Sequence, residues 1–289
     1  MVNAPFMAMR IAVSIIRKII FMFTLMRTVI WSFPKVIKAG NRYNMQLLAG
    51  GFGERKSSDM ASRKTIQRIY DSLSSIVHLE ESINSPNDCP FIKDCLSAMD
   101  EISLSELGLD LEYVRNAKDT VCMNIVNSNE FDISVFIIPK GRQLPLHDHP
   151  SMVVLSKVIV GELNVRCFSP KTLSGRGFTS AGRASLISST MRTSSDAAWM
   201  LTPVLGNVHE LKAEETTIMF DVLMPPYSEP ERPCNFYRSV EQENGWSLEN
   251  TPPPPNRLLP SVVPYNGLRP IVKESTWGSM FRWSRSSPE

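Results

Sequence analysis

Two of the four histidines of the chain, His147 and His149, stand one residue apart in the stretch LPLHDHPSMVVLSKVIVGEL, Leu144 to Leu163. Side chains of a strand alternate between faces, so imidazoles at i and i+2 can converge on one metal ion while Asp148 turns the other way. The same pair is also compatible with two polar residues at a strand end. The run of aliphatic residues after the pair, closing on Gly161, is the context that separates the two readings.

Gly141, five residues, His147, one residue, His149 and then eleven residues to Gly161 reproduce the glycine frame of the first cupin motif, which resembles G-x5-H-x-H-x4-E-x6-G. Val154 stands where that motif has glutamate, so the carboxylate ligand is gone and an all-histidine site is expected. A second cupin motif should supply the third imidazole, and LTPVLGNVHEL offers Pro203, Gly206 and His209, one residue longer than the usual spacing. Three neutral imidazoles on one side of a metal leave adjacent positions open, as in non-haem Fe(II) oxygenases. A structural zinc site would be closed by four protein ligands. An open site of this kind suits a soft thiolate substrate and O2, with both oxygen atoms ending on sulfur as a sulfinic acid.

These residues resemble the thiol dioxygenases that act on free aminothiols, namely the cysteamine (2-aminoethanethiol) dioxygenases of animals and the related plant cysteine oxidases. The resemblance runs from about Ile66 to Gly267 and is carried by PLHDHPSMVVLSKVIVGELNV, LTPVLGNVHEL and FDVLMPPYSEPERPCNFYR, with SLENTPPPPNRLLPSVVPYNG similar to the end of the animal branch. It implies Fe(2+) held by His147, His149 and His209. It also implies oxidation of cysteamine to hypotaurine, of a protein's N-terminal cysteine to cysteine sulfinate, or of both. The latter feeds the N-degron pathway and makes such an enzyme an oxygen sensor. Asp221 matches an acidic residue near the family's active site, where it would attract the substrate ammonium; its plain alternative is a strand residue capping a loop. Tyr227 matches a family tyrosine that could donate a hydrogen bond to bound oxygen or sulfur, or could simply pack the Pro225–Pro226 turn.

Two positions depart from the family pattern. Phe236 comes after Cys234 and Asn235 where the family has a tyrosine, so the thioether that the animal enzyme forms there has no phenol to use. Ser151 replaces a glycine after the histidine pair, at a place where the absence of Cβ would permit positive φ. A non-catalytic metal-binding cupin acting as an interaction module is the competing class. A zinc or manganese cupin isomerase is disfavoured, because such sites keep the glutamate that Val154 replaces.

The elements that must position these side chains are mainly β. TVCMNIVNSNEFDISVFIIPKG predicts two strands about a turn, MVVLSKVIVGELNVRCF two more and TTIMFDVLMPPY another, and together they predict a cupin double-stranded β-helix, a jelly-roll barrel. Upstream, Ile66, Ile69, Tyr70, Leu73, Ile76 and Val77 repeat at helical spacing. A second helix is expected near Phe91 to Met99, and Ser103 and Glu106 stand at capping-box spacing. These N-terminal helices read as a cover for the barrel, and His78, at the end of the first, as a packing or surface residue. Residues 171–198, rich in Ser, Thr and Gly, read as a flexible surface insertion. Thr251 to Pro264 reads as an extended polyproline segment wrapped on the body.

The chain has 289 residues, of which 43% are hydrophobic, enough for a sizeable core. The first 53 residues hold seven Lys/Arg and no Asp/Glu, which leaves 24 basic against 29 acidic residues afterwards and gives no support for nucleic-acid binding. That acid-free start has the character of a targeting peptide, an interfacial helix or an extension of the gene. Its longest uncharged run is too short for a stable membrane span. The expected domain bounds are 1–60 for the extension, 61–115 for the helices, 116–270 for the thiol dioxygenase domain and 271–289 for the tail. The five cysteines form no CxxC pair and read as free thiols of a reducing compartment, cytoplasmic, with a mitochondrial location as the alternative. O2 and an aminothiol are the expected partners of a monomer.

Overall fold

The structure is a computed structural model that describes residues 64–76, 85, 87, 89–171 and 180–271. The acid-free start, His78 and the tail beyond Ile271 lie outside these residues. Among the described residues, no helix is long and apolar enough to cross a membrane.

Ile66, Ile69, Leu73 and Ile76 recur three and four apart, so helix α1 (Lys64–Ile76) turns one apolar stripe inward. Helix α2 (Pro90–Glu101) starts on a proline, whose missing N–H costs nothing in a first turn, and buries Ile92, Cys95, Ala98 and Met99. Arg68 ties the two together, its Nε and Nη2 on Asp94 Oδ1 at 2.8 and 2.6 Å and its Nη1 on Glu101 at 2.8 Å. Ser103 Oγ accepts from Glu106 N at 3.3 Å, as the capping-box spacing predicts, but the Glu106 carboxylate goes elsewhere. It accepts from Thr65 N (2.9 Å) and Ile66 N (3.2 Å), capping the first turn of α1 across 40 residues of chain. A short helix, α3 (Leu111–Arg115), is capped by Asp110.

Twelve strands come after the helices among the described residues: β1 Val121–Asn127, β2 Asp132–Ile138, β3 Gln143–His147, β4 Val153–Val160, β5 Glu162–Pro170, β6 Gly182–Thr193, β7 Trp199–Leu201, β8 Val208–Ala213, β9 Thr217–Met224, β10 Phe236–Gln242, β11 Gly245–Thr251 and β12 Ser261–Val262. They form a six-stranded sheet in the order β12-β1-β2-β9-β4-β7 and a closed barrel in the order β10-β11-β6-β5-β8-β3. The fold is mainly β, as the strand pattern predicts.

Period-two alternation sorts the side chains of the first sheet into two cores. Ile133, Val135, Ile218, Phe220 and Val222 face the helices. Val154, Val158, Met219 and Leu223 face the second sheet and meet Leu163, Val165, Leu211 and Ala213. A third cluster, with Leu146, Phe168, Val208, Tyr237 and Leu248, fills the curl of the second sheet.

The flexible insertion expected over 171–198 is corrected by β6, whose 12 residues pair with β5 on one side and β11 on the other; residues 172–179 lie outside the description. The segment is polar because much of its surface is solvated, not because it lacks ladder partners. Its far end is pinned by the buried Lys157, whose Nζ donates to Ser194 O at 2.8 Å and also to Asp196 O. The proline-rich segment is extended only in part: a 3-10 turn at Asn256–Leu258 interrupts it, and beyond that turn β12 lies parallel to β1 with Ser261 opposite Val121.

Candidate metal centre

His147 ends β3 and pairs with His209 on β8, so the two strands alone set two of the three imidazoles side by side. The strand stops before His149, which is carried by the turn beyond it. Ser151 in that turn has φ 57°, the left-handed conformation that a glycine would adopt without cost. The glycine frame has a steric basis at its far end: Gly161 has φ 89°, and a Cβ there would stand 2.4 Å from Thr216 O.

His149 Nε2 lies 3.0 Å from His209 Nε2, and His209 Nε2 lies 3.3 Å from His147 Nε2. A metal–nitrogen bond of about 2.1 Å implies nitrogens about 3.0 Å apart on an octahedral face and about 3.4 Å apart at a tetrahedral centre, so the trio fits a shared ion. Burial pushes all three imidazoles below their ordinary value, His149 and His209 well below, where repulsion from neighbouring imidazoles adds to it; at His147 the Pro145 carbonyl works against the shift. Neutral imidazole is the form that binds metal.

The outer nitrogens show how the rings are aimed. His147 Nδ1 is 2.7 Å from Pro145 O, so it carries the proton and leaves Nε2 free to ligate. Tyr227 does the same for His149: its hydroxyl donates to Asp148 O at 2.6 Å and thereby faces His149 Nδ1, at 2.8 Å, with a lone pair. His209 Nδ1 is buried without a hydrogen-bond partner among the described residues. Val154, at the position of the absent glutamate, is fully buried and offers no donor atom.

Asp148 faces away from the trio, as the alternation of faces predicts, and is almost wholly buried. Its carboxylate accepts from Tyr237 Oη (2.6 Å), Asn235 N (3.0 Å), Asn235 Nδ2 (3.1 Å) and Ser180 Oγ (3.4 Å). Asn207, two residues before His209, clamps the same turn from the other side, accepting from His149 N at 3.1 Å and donating to His149 O at 2.7 Å. Neither anchor is foreseen in the sequence. The only local signal is an Asn inside the second histidine motif and an Asp between two ligand candidates.

Of the two further site residues, Tyr227 is hydrogen-bonded to a histidine of the trio, whereas Asp221 is not. Tyr227 Oη is engaged with His149 Nδ1 and the Asp148 carbonyl. Asp221 is buried on β9 and makes no hydrogen bond to the imidazoles among the described residues; burial pushes its carboxyl up to about 7. The Ser156 hydroxyl is near enough to ease that rise without meeting hydrogen-bond geometry. Phe236 pairs with His147 across the barrel seam, its ring centroid 6.4 Å from that imidazole. The Cys234 thiol lies instead against the Tyr227 hydroxyl, and burial pushes it up to about 12.

A family model described as PCO_ADO matches residues 98–255. Plant cysteine oxidase 2 of Arabidopsis thaliana is 24% identical over 249 residues, which cover 76% of this chain and 89% of that protein. The 2-aminoethanethiol dioxygenase of Mus musculus is 31% identical over 147 residues, covering 44% of this chain and 57% of that protein. Among solved structures, a cupin superfamily protein of Desulfitobacterium hafniense is similar over 41% of this chain and 90% of its own, at 14% identity and a TM-score of 0.29.

Proposed function

The chain belongs to the PCO_ADO family, and from that premise we propose that it is a thiol dioxygenase whose His147, His149 and His209 hold Fe(2+). The observation that carries the reading is the trio itself: three Nε2 atoms gathered at 3.0 and 3.3 Å with Val154 where a carboxylate ligand would close the site.

The substrate is a free aminothiol, cysteamine or the N-terminal cysteine of a peptide, and the reaction RSH + O2 → RSO2H balances without an external reductant. Bound Fe(2+) supplies an electron-rich centre with open positions, at which thiolate and O2 can meet. The chain's own residues do the rest. Pro145 O and the Tyr227 hydroxyl fix the tautomers of His147 and His149, so that Nε2 of each of those rings faces the ion. The Phe236 ring lies beside His147 as an apolar surface. Asp221 is the carboxylate available to balance an ammonium group: with a value near 7, a cation arriving beside it draws it into its charged form.

The test is O2 uptake and product mass on iron-loaded protein, with cysteamine and with a Cys-initiating peptide. A gain of two oxygen atoms is expected on at least one of them, lost in His209→Ala. Iron bound without O2 uptake on either would favour a non-catalytic, metal-binding interaction module.

A further inference from the structure

Four buried side-chain atoms among the described residues lack a hydrogen-bond partner: Ser156 Oγ, Trp199 Nε1, His209 Nδ1 and Asp221 Oδ1. Three of them fall on one line of the first sheet. Register sets Ser156 of β4 opposite Asp221 of β9 on one side and opposite Trp199 of β7 on the other. All three alternate in step with Val154, Leu201, Met219 and Leu223, which places them on the face turned toward the second sheet.

The line continues the other way, with Asp221 opposite Ser134 and Ser134 opposite Asn124. There it is satisfied, because Ser134 Oγ donates to Asn124 Oδ1 at 3.0 Å. A polar layer thus crosses five strands within an otherwise apolar core, closed at one end and open at the other. It lies one inward-facing position from the Val154 level.

A buried polar atom left unpaired costs roughly 1–3 kcal/mol, and native proteins rarely leave several together. Three adjacent ones indicate a partner that is not a side chain of the described residues. The atoms themselves specify its chemistry. Trp199 Nε1 only donates, the Asp221 carboxyl accepts when ionised and can also donate when protonated, and the Ser156 hydroxyl can do either. An ammonium group would suit Asp221 but would set one donor against another at Trp199, and an anion would be repelled by Asp221. A small neutral molecule that both donates and accepts fits all three, and buried waters typically make about three hydrogen bonds. The indole is also fixed in direction, with the Arg192 guanidinium 5.2 Å over its ring.

We propose that Trp199, Ser156 and Asp221 seat an ordered water between the two sheets, on the polar layer next to the Val154 level. The water accepts from the indole and donates to the carboxylate, and Trp199 and Ser156 thereby act as positioning residues for Asp221. This stands on orphaned atoms and strand register alone, and so does not depend on which thiol the protein oxidises.

A high-resolution crystal structure of the full, metal-loaded chain is the test. Density for a water within hydrogen-bond reach of at least two of Trp199 Nε1, Ser156 Oγ and Asp221 Oδ1 is the expected result. Direct bonds among the three side chains, or a gap without density, overturns the proposal. In Ser156→Val, which removes the hydroxyl and leaves an apolar side chain, the water is expected to be lost. A second readout needs no variant: in ¹⁵N-labelled protein the Trp199 indole proton should show a cross-peak to a long-lived bound water, and its absence counts against the seat.

Discussion

At the scale of single residues, the three imidazoles are defined by what stands behind them. Tyr227 holds the proton of His149 on Nδ1, so Tyr227→Phe should weaken metal binding about 10-fold, in line with the loss of an outer partner of a histidine ligand. Metal titration of the apo protein checks this; unchanged affinity would return Tyr227 to a packing role. Asp221 makes a prediction of opposite character. Its value in the fold, about 7, lies above its ordinary 3.8, so the folded state holds the proton longer than the unfolded state does. Its contribution to stability is therefore fullest below the lower value, falls as pH rises between the two, and is flat above. Asp221→Asn should flatten that stretch of the stability profile, and urea midpoints of both proteins across it measure the difference.

At the scale of elements, Glu106 joins two segments that the sequence presents as neighbours only in order. Its carboxylate caps α1 through Thr65 N and Ile66 N, so Glu106→Ala leaves two donors without their acceptor at a buried helix start and should cost about 2 kcal/mol. Urea unfolding reads this, and a loss near zero would mean that solvent replaces the cap. The capping-box spacing marks Glu106 as a capping residue but not for which helix, because the recipient is 40 residues away. The same limit explains the rest. Strands β1, β2, β4, β5 and β9 are legible because their apolar runs and turns are local. β6 is not, because many of its Ser and Thr side chains are solvated and its order comes from β5 and β11. The histidine trio is legible from spacing within two motifs. Asn235, Tyr237 and Ser180 around Asp148 are not, since nothing in the chain between them records that they meet.

At the scale of the whole molecule, the second sheet closes on itself where β10 meets β3 through Phe236 opposite His147, beside the Asp148 N to Asn235 O bond of 3.1 Å. One side of that seam is a metal-ligand candidate. Removing the metal with a chelator should therefore speed hydrogen–deuterium exchange at residues 147–149 and 235–237 well before it touches β9, which is paired along both edges. Uniform acceleration across the sheets would separate the seam from the metal. If the seam responds as expected, occupancy of the metal centre acts as a latch on the barrel, and a chain that has lost its ion differs from a loaded one in how long it survives proteolysis as well as in what it can oxidise.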